Sequence, residues 1–124
     1  MGADLLQDDE VSALCDKCSS SADVDLRHLL TAASDDELRL TQNAQPALTF
    51  MGIGLTMLLA RAGHVWAAAA GHSVGEYGAL AASHAVQPAP VIKAMARPRS
   101  TTALITGAGS TAGDAASAPN SPTE

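Results

Sequence analysis

At 124 residues the chain has material for one small domain and not two. Apolar residues make up 47% but aromatic residues only 2%, so any core is built largely from small side chains and is thin. A net charge of −6 argues against nucleic acid or an anionic membrane as partner, since both select basic patches. The acidic start, MGADLLQDDE, has no apolar segment of the kind a secretory signal needs. Leu6 stands where a myristoylation motif wants Ser or Thr. The longest apolar stretch, residues 47–60, carries Thr49 and Thr56 and stops at Arg61. It falls short of the roughly 18–20 apolar residues of a membrane span. A soluble, cytoplasmic protein is expected.

In chain order, residues 8–18 read as a short helix with acidic residues in its first turn and Val11, Leu14 and Cys15 on one face. The serines at 19–21 end it. Residues 24–30 read as a second short helix or an irregular segment. Ser34 caps a turn through Leu40, with Glu37 three residues on completing a capping box. Thr41 or Asn43 then caps a long helix that tolerates Pro46 in its first turn. Over residues 47–62, Leu48, Met51, Leu55, Leu58 and Leu59 recur at helical spacing, and Phe50, Ile53 and Met57 fill other faces. A helix apolar nearly all round is expected between two layers. Gly52 and Gly54 each weaken it by about 1 kcal/mol relative to alanine and would let it approach a sheet closely. Gly63 is its stop.

Residues 64–70 are a short apolar run bounded by glycines, which reads as a buried parallel strand. A helix over residues 74–85 follows. Helix, strand, turn and helix in this order imply an α/β layered fold. After Val86 the character changes: Pro88, Pro90 and Pro98 surround a few apolar residues, and Ala103-Leu104-Ile105 is the last apolar cluster. Residues 107–124 are Gly, Ala, Ser, Thr and Pro with little to bury, as in a disordered tail. The chain thus divides into a domain at 1–86, a divergent segment at 87–106 and a low-complexity tail at 107–124.

The chemistry concentrates at Gly71-His72-Ser73-Val74-Gly75. Gly-x-Ser-x-Gly between a strand and a helix is a nucleophile elbow. The serine sits on a strained turn that exposes its hydroxyl, and the flanking glycines let strand and helix approach. The helix N-terminus then faces the place where an oxyanion would form. Ser73 is the nucleophile in this reading, and the Val74 N–H is one oxyanion donor.

A serine also needs a base. His72 is adjacent, and neighbouring side chains diverge at such a turn. His84 lies roughly 16 Å along the following helix. His64 is at the far end of the strand, roughly 20 Å along it. His28 is unconstrained but precedes the elbow, and hydrolase-type folds place the base after the serine. The base is expected to be missing from these residues. Cys15 and Cys18 form a Cys-x-x-Cys with no second ligand pair at finger spacing, and read as reduced thiols with no metal.

Gly71-His72-Ser73-Val74-Gly75-Glu76-Tyr77, followed by Ala79-Leu80-Ala81-Ala82, resembles the acyl-carrier-protein malonyltransferase family, which includes the acyltransferase domains of fatty-acid and polyketide synthases. Gln45-Pro46-Ala47-Leu48 resembles that family's second signature. The likeness is good over residues 35–86 and weaker before that. It implies a partial hydrolase-like acyltransferase subdomain. It also implies transfer of a malonyl group from coenzyme A to the thiol of an acyl carrier protein through an acyl-serine. Malonyl-CoA is then a substrate, acyl carrier protein a partner, and no cofactor is bound tightly. The resemblance makes His72 a neighbour of the site and puts Gln45 near the pocket wall. Arg97 or Arg99 would pair with the malonyl carboxylate, although Pro98 between them breaks a helix. The family's first strand, its Gly-Gln-Gly-x-Gln loop and its downstream base histidine have no counterpart here, so impaired transfer is expected. Two alternatives stand beside it: a non-catalytic piece that binds a carrier protein or synthase partner, and a serine esterase that uses His28.

Overall fold

The computed structural model describes residues 2–96. Arg97, Arg99 and the tail at 107–124 lie outside the described residues. A 3-10 turn (Ala3–Gln7) leads into six helices: α1 (Asp9–Ala22), α2 (Leu26–Thr31), α3 (Asp35–Arg39), α4 (Thr41–Arg61), α5 (Val74–Ala82) and α6 (Pro88–Ala96).

The helix ends follow from local chemistry. The Asp8 carboxylate accepts from the Glu10 and Val11 N–H groups at the start of α1. That helix runs through the serines at 19–21 and stops at Asp23, which takes the left-handed conformation at φ 55°. Ser34 caps α3 from both directions. Its Oγ accepts the Glu37 N–H at 3.3 Å, and the Glu37 carboxylate accepts the Ser34 N–H at 2.8 Å. The same carboxylate lies 3.0 Å from His28 Nε2. The Ser34 N–H and then His28 hold Glu37 well below the usual carboxylate range, at about 2. At the far end of α4, Gly63 has φ 87°, the His64 N–H reaches the Leu59 carbonyl and the Gly63 N–H reaches that of Ala60. This is a Schellman stop, and the left-handed position is the reason for a glycine there. The α4 helix starts at Thr41 after a Leu40 that offers no side-chain cap, so Pro46 lies in its second turn rather than its first.

All the other helices pack on α4. Phe50, Leu26, Leu30, Ile92, Val11 and the two cysteine side chains are fully buried around it. The start of α1 is tied to the end of α4 by Arg61, which pairs with Asp8 and, at 2.8 Å, with Glu10. A Cβ on Gly54 would meet Val11 Cγ1 at 3.2 Å, so the close approach this glycine allows is to α1. The α6 helix contributes Val91, Ile92 and Met95 to the core. Pro88 and Pro90 fall in its first turn, where no intrahelical N–H is required.

The expected α/β architecture is not what forms. The described residues are helical, with no strand and no sheet. Residues 64–70 are irregular, and Val65 is 95% exposed. The apolar run reads as a buried strand only if neighbouring strands pair with it, and the described residues supply none. The same absence leaves α4 uncovered on one side: Leu48, Leu55 and Leu59 are exposed. It is a helix with one buried face, not one held between two layers.

Candidate active site

Ser73 is the residue before α5, at φ 55° and ψ −119°. A positive φ is sparsely populated for a residue with a Cβ, and such strain persists only where the surroundings enforce it. Gly71 is one enforcer. A Cβ there would stand 2.1 Å from the Gly75 carbonyl carbon and oxygen and 2.6 Å from the Glu76 nitrogen. Only glycine fits where the chain folds back on the first turn of α5. Gly75 is different, since a Cβ on it meets nothing within 4 Å. Of the two flanking glycines, the first is the one the turn requires.

Glu76 is the second enforcer. Its carboxylate accepts the Ser73 N–H at 3.2 Å, while its own N–H donates to the Ser73 carbonyl at 3.0 Å. Ser73 and Glu76 thus pair as a capping box across the first turn of α5. The Val74 N–H is in the first helical turn, where amides have no intrahelical acceptor and the helix dipole is positive.

Ser73 lines a cavity of about 230 Å³ with Val74, Glu76 and Tyr77 of α5, Gln45 of α4 and Met95 of α6. Gln45 and Ser73, which are 28 positions apart in sequence, therefore border one cavity. His72 is exposed and is not among the residues lining this cavity. His28 is engaged with Glu37 on the α2–α3 side, and His84 lines a different cavity. Among the described residues, no histidine faces Ser73 in its cavity.

Glu76, Tyr77 and Met95 belong to the cavity but carried no role in the sequence reading. For Glu76 the signal is present, since Ser73 and Glu76 repeat the Ser-x-x-Glu spacing of Ser34 and Glu37. Met95 had no local signal, because only the folding of α6 onto α4 brings it near. Cys15 and Cys18 are buried free thiols on the inner face of α1. Burial pushes both thiols up, Cys18 to about 11. No group of three metal-ligating side chains is assembled among the described residues. No described helix is long and apolar enough to cross a membrane.

Ser73 thus stands on a strained turn at a helix N-terminus, beside a glycine that admits no side chain, with irregular backbone where a nucleophile elbow carries a strand. The chain belongs to the acyl transferase domain family, which matches residues 1–123. It is similar to the malonyl CoA-acyl carrier protein transacylase of Bacillus subtilis (strain 168), with 37% identity over 73 residues. That stretch is 59% of this chain and 23% of the relative, so the chain spans less than a quarter of the relative's length. No solved structure matches it.

Proposed function

We propose that the chain takes a malonyl group from coenzyme A onto Ser73 and passes it to the thiol of an acyl carrier protein. The Ser73 Oγ attacks the thioester carbonyl, the carbon–sulfur bond breaks, and the coenzyme thiol leaves with the serine's proton. The carrier thiol then attacks the serine ester and restores the hydroxyl. The Val74 N–H stabilises the negative oxygen in both steps, and Gln45 borders the acyl group. The observation that carries this reading is the Ser73 backbone, held at positive φ at the start of α5 beside Gly71 and Glu76. Family membership and the malonyl relative support the acyl group and both thiol partners.

With no histidine in the cavity among the described residues, proton removal from Ser73 lacks an efficient base. The chain alone is expected to transfer several orders of magnitude more slowly than a complete triad-type enzyme. Incubation with radiolabelled malonyl-CoA tests the proposal. Slow, stoichiometric labelling that Ser73→Ala abolishes supports it; label that persists in Ser73→Ala removes it. Rapid turnover by the isolated chain would keep the nucleophile and discard the impairment.

The esterase reading loses its support, because His28 is bound to Glu37 and does not border the Ser73 cavity.

A further inference from the structure

The Ser73 hydroxyl must lose its proton to react, and its cavity offers few acceptors. Of the other described residues that line it, Val74 and Met95 are apolar, Gln45 brings an uncharged amide, and Tyr77 brings a hydroxyl that already holds a proton. Among the described residues, Glu76 is the one charged side chain there. Its carboxylate is already fastened to the serine, accepting the Ser73 N–H at 3.2 Å. It makes no ion pair among the described residues, so no cation holds its negative charge. The capping box uses the serine oxygen as an acceptor of a helix N–H, which leaves the hydroxyl's own proton to be given. Where the same Ser-x-x-Glu box recurs in this chain, the proton is given to the glutamate. Ser34 Oγ donates at 3.0 Å to the Glu37 oxygen that also accepts the Ser34 N–H at 2.8 Å. A serine's Oγ and N–H hang from one Cα, and two of the three staggered χ1 positions set the hydroxyl beside that N–H. An acceptor bound to the Ser73 N–H is therefore within reach of the Ser73 hydroxyl.

We propose that Glu76 is the general base of this chain: its carboxylate takes the Ser73 hydroxyl proton as Oγ attacks a thioester carbonyl. The proposal rests on the reading of Ser73 as the acylated residue. The protons balance within the cavity. The oxygen–carbon bond forms while the O–H bond breaks toward Glu76; the carbon–sulfur bond then breaks, and the leaving sulfur takes that proton back. In the second half, Glu76 accepts the proton of the incoming carrier thiol and hands it to the Ser73 oxygen as the serine ester breaks. A carboxylate is a weaker base than an imidazole, so transfer by this route is slow. The glutamate thus has two tasks, holding the strained serine by its N–H and relieving it of its proton.

Glu76→Gln in the full chain separates the two tasks, with Ser73 labelling by radiolabelled malonyl-CoA followed in time across neutral pH. Glutamine closes a capping box as glutamate does, so the thermal midpoint should hold while the labelling rate falls about 100-fold. A carboxylate is ionised throughout that range, so the wild-type rate should be level with pH. Without it, attack relies on hydroxide, and the rate of Glu76→Gln should rise about tenfold per pH unit. Labelling of Glu76→Gln at the wild-type rate overturns the proposal. So does a loss that leaves the two pH profiles parallel, because a merely misplaced serine would give that. Label that outlives Ser73→Ala, or no label at all, fails the Ser73 reading and this one with it. Label that needs Ser73 but is indifferent to Glu76→Gln fails this one alone.

Discussion

Ser34-Asp35-Asp36-Glu37 and Ser73-Val74-Gly75-Glu76 place the same two residues at the same spacing before a helix. They fold into different devices. Ser34 is extended, at φ −71° and ψ 163°, and both halves of its cap are made. Ser73 is at φ 55° and ψ −119°, and the Glu76 carboxylate accepts its N–H at 3.2 Å. The difference comes from the residue two positions earlier. Ala32 precedes Ser34 and asks nothing of the chain, whereas Gly71 lets the backbone double back onto α5 until only a hydrogen fits. One serine caps its helix from an extended backbone; the other does so from a strained one.

The largest expected effect is on reactivity. Ser73→Ala should abolish acyl labelling, while Ser34→Ala should leave labelling intact and lower the thermal midpoint; both are read by labelling and calorimetry on the same samples. Gly71→Ala comes next. Its Cβ cannot coexist with the Gly75 carbonyl, so the exposed elbow must rearrange, and labelling should fall by about 100-fold or more. Gly75→Ala is the control, with open space at its Cβ and a gain of about 1 kcal/mol in helix propensity. If both glycine variants label alike, Gly71 does not enforce the turn.

Smaller effects belong to the Ser34 cap. Ser34→Ala should cost about 1 kcal/mol in denaturant unfolding. Glu37 titrates at about 2 in the fold against an ordinary 4.5, so its contribution is complete above pH 4.5 and lost as pH falls through 2. The gap in thermal midpoint between the wild type and Glu37→Gln should therefore be widest above pH 4.5 and close toward pH 2. A gap that is constant over that range would show that the carboxylate's charge is not what holds the cap.

Much of the helical scaffold was legible because its signals are local. Asp8, Ser34 and Gly63 are capping chemistry, and the apolar positions of α1 and α4 repeat at helical spacing. Two errors have physical causes. Residues 64–70 carry the composition of a buried strand, but a strand is made by pairing, and no partner is encoded nearby. The α6 helix was hidden by its prolines, which break a helix interior and yet suit a first turn. At the site, Ser73 and the Gly71 contact follow from one short motif. Gln45 beside Ser73 followed from the family resemblance, whereas Met95 could not be read, since it depends on how α6 meets α4 and α5.

The two buried thiols of α1 bear on how the chain would meet a thioester. Free cysteines exchange acyl groups readily, and they do so as thiolates. Here desolvation keeps Cys15 and Cys18 protonated and out of reach. An acyl group captured by the folded chain is thus directed to oxygen rather than sulfur, and its bond resists neutral hydroxylamine. A hydroxylamine-labile label would mark molecules whose first helix has come away, so the same reagent separates chemistry at the elbow from accidental acylation of an opened chain.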